Sequence, residues 1–362
     1  MIRSREALQT HASTQQSKAF AAVRMNANSP AGVRFAVVIV NYNGGAMLEA
    51  SVRSALREGV PAAQLVLVDN GSTDGSIDQT QRSIDALELI RNGCNAGFAR
   101  AVNQGITRAL SAASPPEFIL LLNNDAQLEP GALTAFTDGF DSLPNLAIAG
   151  GQLRYPDGRL QSAFAPLPAP AEDLLPRFLL RLVNPARFRR KSPSSTPMPV
   201  ECVLGACLAV RVSVLGRLGL LDEDFFFYFE EIEWCQRAHR IGAEVYYLPA
   251  ARAIHGQGQT ANRFRGPARV EYQRSRLTFF RKTRGQFSYA TVSAALTFRT
   301  LINAVSCAIA VAATLGLNPR LRFRARTYWY QLSWHALLRP ADWGLPGKCS
   351  ADESTRKEVN RG

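Results

Sequence analysis

Phe35-Ala36-Val37-Val38-Ile39-Val40-Asn41-Tyr42-Asn43-Gly44-Gly45 decides the fold. The run from Phe35 to Val40 is apolar without interruption and β-branched over its last four residues, which predicts a strand buried on both faces. Its abrupt polar and glycine-rich end predicts a turn. Beyond it, Met47, Leu48, Val52, Ala55 and Leu56 recur at helical spacing. The pattern then repeats: Leu65 to Val68 breaks at Asp69-Asn70-Gly71-Ser72, Leu87 to Ile90 is a third short strand, Ala99 to Leu110 reads as a helix, and Phe118 to Leu122 stops at Asn123-Asn124-Asp125. Apolar strands alternating with helices predict an α/β fold, a mostly parallel sheet flanked by helices. Ligands in such sheets bind beyond the carboxyl ends of the strands, where all three polar clusters fall.

The chain has 362 residues, 46% of them hydrophobic, and a net charge of +13. The excess is concentrated in Arg177, Arg181, Arg187, Arg189, Arg190 and Lys191, and again in Arg265, Arg269, Arg274, Arg276, Arg281, Lys282 and Arg284. Such patches favour an anionic partner. Without a recognisable nucleic-acid-binding motif, nucleotide phosphates or an anionic membrane surface are expected rather than nucleic acid. The cysteines form no C-x-x-C pair, which argues against a zinc knuckle or redox dithiol. No P-loop, G-x-S-x-G or H-E-x-x-H pattern occurs.

Several residues are candidates for chemistry. Asp69, after a buried strand, either accepts hydrogen bonds from a base or ribose or belongs to an Asx-rich turn. Asp125 either holds a hard cation such as Mg²⁺ or Mn²⁺, assisted by substrate phosphates, or caps the following helix. In Phe225-Phe226-Phe227-Tyr228-Phe229-Glu230-Glu231-Ile232-Glu233-Trp234, aromatics lead directly into acids. Apolar surroundings raise a carboxyl pKa toward what a general base needs. Glu233 stands four residues before Arg237, the favourable order for a helical ion pair. Glu231 has no such neighbour and is preferred as the base, with Glu230 close behind. His255, after a strand and before Gly-Gln-Gly, is either structural or completes a metal site.

Together these segments resemble the family 2 glycosyltransferases, in particular their rhamnosyltransferase-like branch. The resemblance rests on the opening strand from Val37 through Gly45, on Leu67 through Ser76, on Asn95, Gly97, Phe98, Ala99 and Asn103, on Leu121 to Asp125, on Gly205-Ala206, on Leu221-Asp222-Glu223 and on Phe229 to Arg237. It implies a GT-A fold, Mg²⁺ or Mn²⁺, and inversion by direct displacement. It further implies donor binding by Asn41, Asn43, Asp69, Asn70, Ser72, Asn95, Gly97, Phe98, Asn123 and Asn124. Gly205, Ala206, Glu233 and Trp234 would lie on the acceptor side, Asp125 and His255 at the metal, and Glu231 or Glu230 at the base. The donor expected from the branch is dTDP-rhamnose, and the acceptor a saccharide or polyprenyl-linked saccharide in cell-surface polysaccharide synthesis. Two motifs depart from the family pattern: Asn123 replaces the first acid of its D-x-D, and Glu-Glu-Ile-Glu (230–233) replaces Glu-Asp-x-Asp.

The expected organisation is a polar tail over 1–34 without an apolar leader, a catalytic domain over 35–258, a helical region over 259–340 and a tail over 341–362. The domain would comprise a nucleotide half (35–150), a mobile insertion (156–199) carrying a short basic helix near Asp173 to Val183, and an acceptor half (200–258). Thr300 to Leu317 is uncharged and about as long as the shortest spanning helices. With the basic residues before it, this stretch suggests a cytoplasmic enzyme associated peripherally with the inner membrane. A nucleotidyltransferase and a catalytically silent carbohydrate-binding scaffold are the alternatives.

Overall fold

The computed structural model describes residues 31–84, 86–185, 195–256 and 264–349. Arg187 to Lys191, most of the N-terminal tail, the last part of the C-terminal tail and residues 257–263 lie outside them. Two compact units are present: the first takes in described residues up to 167, 195–222 and 231–256, the second 168–185, 223–230 and 264–349.

The first unit follows the expected alternation. β1 (Phe35–Asn41), α1 (Ala46–Arg57), β2 (Leu65–Asp69), α2 (Ser76–Ser83), β3 (Glu88–Arg91), α3 (Phe98–Leu110) and β4 (Phe118–Leu122) come in turn. Then follow β5 (Ala126–Leu128), α4 (Ala132–Ser142), β6 (Leu146–Arg154), β7 (Phe164–Ala165), β8 (Met198–Pro199), β9 (Cys202–Val203) and β10 (Cys207–Arg211). The main sheet runs β3-β2-β1-β4-β10-β6-β11-β5, with β8 beside β11 (Glu244–His255). It is mixed. β1 pairs parallel with β2 and β4, and β2 with β3, whereas β10 enters antiparallel between β4 and β6. Every residue of β2, β4 and β10 is buried, as their unbroken apolar sequences require.

Two elements differ from the sequence expectation. β11 extends far beyond Val245 to Leu248 because its ladder with β6 slips between Leu248 and Arg252, across Pro249, and then resumes. A β-bulge of this kind accommodates a proline that cannot donate to the ladder. The expected helix near Asp173 is split into α5 (Ala171–Leu174) and α6 (Arg177–Val183). Leu175, which precedes Pro176, is extended (φ −113°, ψ 142°), as a residue before proline prefers.

The second unit contains α5, α6, α8 (Arg265–Ala313) and α9 (Pro319–Ala336). α8 is interrupted at Gly285, whose φ of 82° is open to glycine at little cost. Much of the second basic cluster is neutralised internally. Arg276 pairs with Asp173 at 2.7 Å, Arg274 with Glu271 at 2.7 Å, and Lys282 with Asp224 at 2.5 Å. Those residues therefore stabilise this unit and do not form the free positive patch that composition suggested.

α3 packs against β1 and β2 through Gly105. A Cβ there would stand 2.4 Å from Val38 Cγ1 and 3.3 Å from Val68 Cγ2, both on fully buried strands. Gly105→Val should therefore overpack this contact and cost about 1–3 kcal/mol. Chemical denaturation checks this; an unchanged midpoint would contradict the packing.

Candidate functional site

The chain adds β2 and β3 to one side of β1, then returns to place β4 on the other. β1 and β4 therefore flank the switch point, where α/β sheets open a crevice. Asn41 ends β1 there and is completely buried. Its Nδ2 donates to Ser72 Oγ at 2.9 Å and to Ser76 Oγ at 3.0 Å, and its Oδ1 accepts from Asn124 Nδ2 at 2.8 Å. The loops after β1, β2 and β4 are thus joined by one amide with both kinds of polar atom satisfied. Gly44 is required beside it, since a Cβ would fall 2.3 Å from Asn41 Oδ1 and 2.6 Å from Asn124 Nδ2.

Asn43 sits at φ 55°; its N–H donates to Ser72 Oγ at 3.0 Å and its Oδ1 accepts from the Thr73 N–H at 2.8 Å. Asp69 Oδ1 accepts from the Ser72 N–H at 3.1 Å, so Asp69 shapes its own loop. Asn70 links this loop to the next. Its Nδ2 donates to the Gly97 carbonyl at 3.1 Å and to Asn95 Oδ1 at 3.3 Å, while its Oδ1 accepts from Asn92 Nδ2 at 2.9 Å. Gly97 stands at φ 88°, Asn95 Oδ1 accepts its N–H at 3.1 Å, and Phe98 opens α3 behind it. Asn103 is a scaffold residue: it donates to the Leu221 carbonyl at 2.8 Å and accepts from the Leu221 N–H at 3.0 Å.

The next strand end continues the rim. The Asn123 N–H donates to the Ala206 carbonyl at 3.1 Å, joining the loop after β4 to the approach to β10. Gly205 precedes Ala206, and its Cβ position lies 3.6–3.8 Å from the Glu231 side chain. Glu231 belongs to α7 (Glu230–Arg240). Its Oε2 is buried with no hydrogen-bond partner among the described residues. Burial pushes its carboxyl pKa up, and backbone N–H groups of Gly205, Glu231 and Ile232 oppose that rise only in part. An acid of this kind holds its proton more tightly than a surface glutamate and suits proton abstraction.

The other acids of the motif differ. Glu230 is 5% exposed and belongs to the second unit. Glu233 pairs with Arg237 at 2.7 Å, the helical ion pair that the spacing predicts, and Arg237 Nη1 donates to the carbonyls of Leu218 and Leu220. Trp234 is buried and donates from Nε1 to the Gly219 carbonyl at 2.9 Å. Glu233 and Trp234 therefore secure α7 against the 218–220 turn.

Asp125 and His255 meet at the far end of β11. Asp125 Oδ1 lies 3.3 Å from His255 Nε2, and the Gly256 N–H donates to the Asp125 carbonyl at 2.9 Å. Gln161 settles the imidazole. Its Nε2 donates to the His255 carbonyl at 2.7 Å, which turns its Oε1 toward His255 Nδ1 at 2.9 Å. Nδ1 then donates to Gln161, and Nε2 is the ring atom that faces the carboxylate. The two side chains converge closely enough for one divalent cation to take both as ligands. Among the described residues no group of three or more His, Cys, Asp or Glu could enclose a metal. The pair suits a hard divalent ion that takes its remaining ligands from substrate phosphates and water. Ser76 and Asn92 lie inside the motif segments but were not singled out as site residues, and Gln161 was missed altogether.

The Glycosyl transferase family 2 profile matches residues 36–219. The N-acetylglucosaminyl-diphospho-decaprenol L-rhamnosyltransferase of Mycobacterium tuberculosis is 28% identical over 237 residues, covering 63% of this chain and 77% of that protein. The low-salt glycan biosynthesis hexosyltransferase Agl10 of Haloferax volcanii is 27% identical, covering 71% and 80%. The dTDP-rhamnosyl transferase RfbF of Shigella flexneri is 24% identical, covering 61% and 68%.

The raised carboxyl of Glu231 has a stability consequence. A carboxyl whose pKa is higher folded than unfolded makes the native state bind more protons in the window between the two values. Stability contributed by that group is therefore lost as pH rises from the unfolded value through the folded one. Glu231→Gln should remove this loss, so the variant gains on wild type across that window and then keeps a constant lead. Urea melts across a pH series test this; parallel curves would refute the buried, raised carboxyl.

Proposed function

This chain belongs to glycosyl transferase family 2 and is a glycosyltransferase, and from that premise we propose that it transfers a deoxyhexose, rhamnose from dTDP-rhamnose, to a polyprenyl-linked saccharide with inversion. The sugar and donor are inferred from similarity to relatives named as rhamnosyltransferases and as a dTDP-rhamnosyl transferase. Family membership sets the nucleotidyltransferase alternative aside. The observation that carries the mechanism is a continuous rim from the donor loops to an acid: Asn41 bonds Asn124, the neighbouring Asn123 bonds Ala206, and Gly205 touches Glu231.

Asn43, Asp69, Asn70 and Ser72 line the donor end, and the fixed loops they form position the nucleotide without reorganisation at the moment of reaction. Asp125 and His255 would hold Mg²⁺ or Mn²⁺. A cation bound there neutralises charge on the departing diphosphate. Glu231 accepts the proton of the acceptor hydroxyl through Oε2 as that oxygen bonds to the anomeric carbon; the bond to the diphosphate breaks on the opposite face, with inversion. Glu233 and Trp234 act on the acceptor side by holding α7 in place. The glutamates in place of the family's aspartates extend each carboxylate by one methylene, which lengthens the reach of Glu231 from its helix.

Glu231→Gln should lower kcat by about 10²–10⁴-fold, with the donor KM changed little. Steady-state kinetics with donor and a polyprenyl-linked acceptor test this; a kcat within a few-fold of wild type would remove Glu231 from the role. Asp125→Asn and His255→Gln should each weaken Mn²⁺ binding in the presence of nucleoside diphosphate by about tenfold or more. Glu231→Gln should leave it unchanged. Calorimetric Mn²⁺ titration distinguishes the two, and equal Mn²⁺ affinity in all the proteins would displace the metal from this pair.

A further inference from the structure

The second half of α8, after Gly285, carries two apolar stripes. Val292, Leu296, Thr300, Ala304 and Cys307 are buried. Phe298, Leu301, Ile302, Val305 and Ile309 fall on the opposite face at about 100° per residue and are 43–65% exposed. The first stripe suits the packing with α9, the helix that α8 contacts most extensively. Among the described residues the second remains largely open. It leads into the turn before α9, where Leu315 and Leu317 are 86% and 79% exposed. A soluble surface rarely leaves so much contiguous apolar side chain to water.

The charge around this stripe points to its occupant. From Gln286 to Ala336 the sequence holds no aspartate or glutamate. Its arginines are Arg299 and, at the start of α9, Arg320, Arg322, Arg324 and Arg326. The four on α9 are exposed. Steps of two residues place Arg320 and Arg324 on one side of the helix and Arg322 and Arg326 on the other. A second copy of this chain would bring these arginines against each other, which disfavours a self-association face. An anionic bilayer offers acyl chains to the stripe and phosphates to the arginines.

The same residues argue against a spanning helix, although α8 is long and apolar enough by composition. Between Arg299 and the helix end at Ala313 only fourteen residues rise, about 21 Å, against a hydrocarbon core of about 30 Å. The uncharged run does not continue as helix. Leu315 (φ 49°) and Gly316 (φ 71°) turn the chain, and the four arginines return immediately. Charges at that position would have to cross the bilayer centre.

We propose that the α8–α9 hairpin is a monotopic docking surface for anionic phospholipid, lying in the interface with the Phe298–Ile309 stripe and the turn leucines in the acyl boundary and Arg320, Arg322, Arg324 and Arg326 on the headgroup phosphates. The inference is independent of the transferred sugar and of the catalytic residues.

Flotation of the full chain with vesicles tests it. Wild type should float with phosphatidylcholine vesicles containing about one-quarter phosphatidylglycerol and bind pure phosphatidylcholine at least about tenfold more weakly. Salt and alkaline carbonate should release it. R320Q/R322Q/R324Q/R326Q should lose the anionic preference, and I309E/L315E should lose flotation with both vesicle types. Donor hydrolysis by the soluble variants should match wild type, which shows that they are folded. Equal binding to neutral vesicles, variants that float like wild type, or resistance to carbonate extraction would overturn the proposal. So would a lipid-independent dimer that I309E/L315E dissociates. Flotation as expected with a wild type that turns over no nucleotide sugar would instead remove only the transferase reading.

Discussion

The side-chain amide of Asn41 holds together the loops at the carboxyl ends of β1, β2 and β4. It is fully buried at the end of β1 and bonds Ser72, Ser76 and Asn124 at once. An apolar residue in its place would remove three hydrogen bonds at once, each worth about 0.5–1.5 kcal/mol net. The loop after β1, the turn into α2 and the loop after β4 therefore cannot move separately. Asn43, bonded to the same Ser72 and to Thr73, and Asp74, whose Oδ2 accepts from the Gly45 N–H at 2.8 Å, add a second layer. Hydrogen bonding also holds Asp74 below the usual carboxylate range, against the opposing effect of its burial. Asn41, Asn43, Asn70 and Asn124 supply most of the cross-loop bonds, and the two carboxylates, Asp69 and Asp74, are turned onto backbone N–H groups of the same loops.

A different device prepares the acidic helix. Tyr228 and Phe229 occupy φ of 72° and 73°, a left-handed conformation that bulky residues adopt only under constraint. Each costs on the order of 1–3 kcal/mol. The compensation lies within the second unit. Ser275 Oγ donates to the Phe227 carbonyl at 2.8 Å, Tyr272 meets the rings of Tyr228 and Phe229 at 5.7 and 5.3 Å, and Phe279 lies 5.7 Å from Phe229. The aromatic run that precedes the glutamates is thus a clamp on a strained turn as much as an apolar environment for an acid. α7 starts immediately after it.

The parts legible in the sequence were those with a local cause. β1, β2 and β4 announced themselves because unbroken β-branched and leucine runs have no other stable placement, and the polar clusters at their ends follow from strand topology. The Glu233–Arg237 pair was legible from i,i+4 spacing. Less legible were partnerships across long sequence separation. Gln161 lies in a Pro-rich stretch with no periodicity, ninety-four residues from His255, and nothing local marks it as the group that orients the imidazole. The sheet's mixed character was hidden for the same reason: β10 is as apolar as a parallel strand, and only its position between β4 and β6 makes it antiparallel. Composition misled at Arg276 and Lys282, because counting charge ignores carboxylates brought in from distant segments, here Asp173 and Asp224.

Glu231 and the Asp125–His255 pair illustrate two ways of leaving a polar group incomplete. The Glu231 Oε2 atom is buried with no partner among the described residues, and His255 Nε2 faces Asp125 Oδ1 at 3.3 Å. A fold selected only for stability would satisfy or remove such groups, since an unpaired buried acceptor costs as much as a good hydrogen bond contributes. Neither can be repaired from its own surroundings. Gly205 offers Glu231 a backbone N–H and no side chain, and Gln161 holds His255 in the orientation that exposes Nε2. Under the proposed reaction an acceptor hydroxyl would bring a proton to Glu231, and a divalent cation with its diphosphate would join Asp125 and His255, one group for each half of a glycosyl transfer.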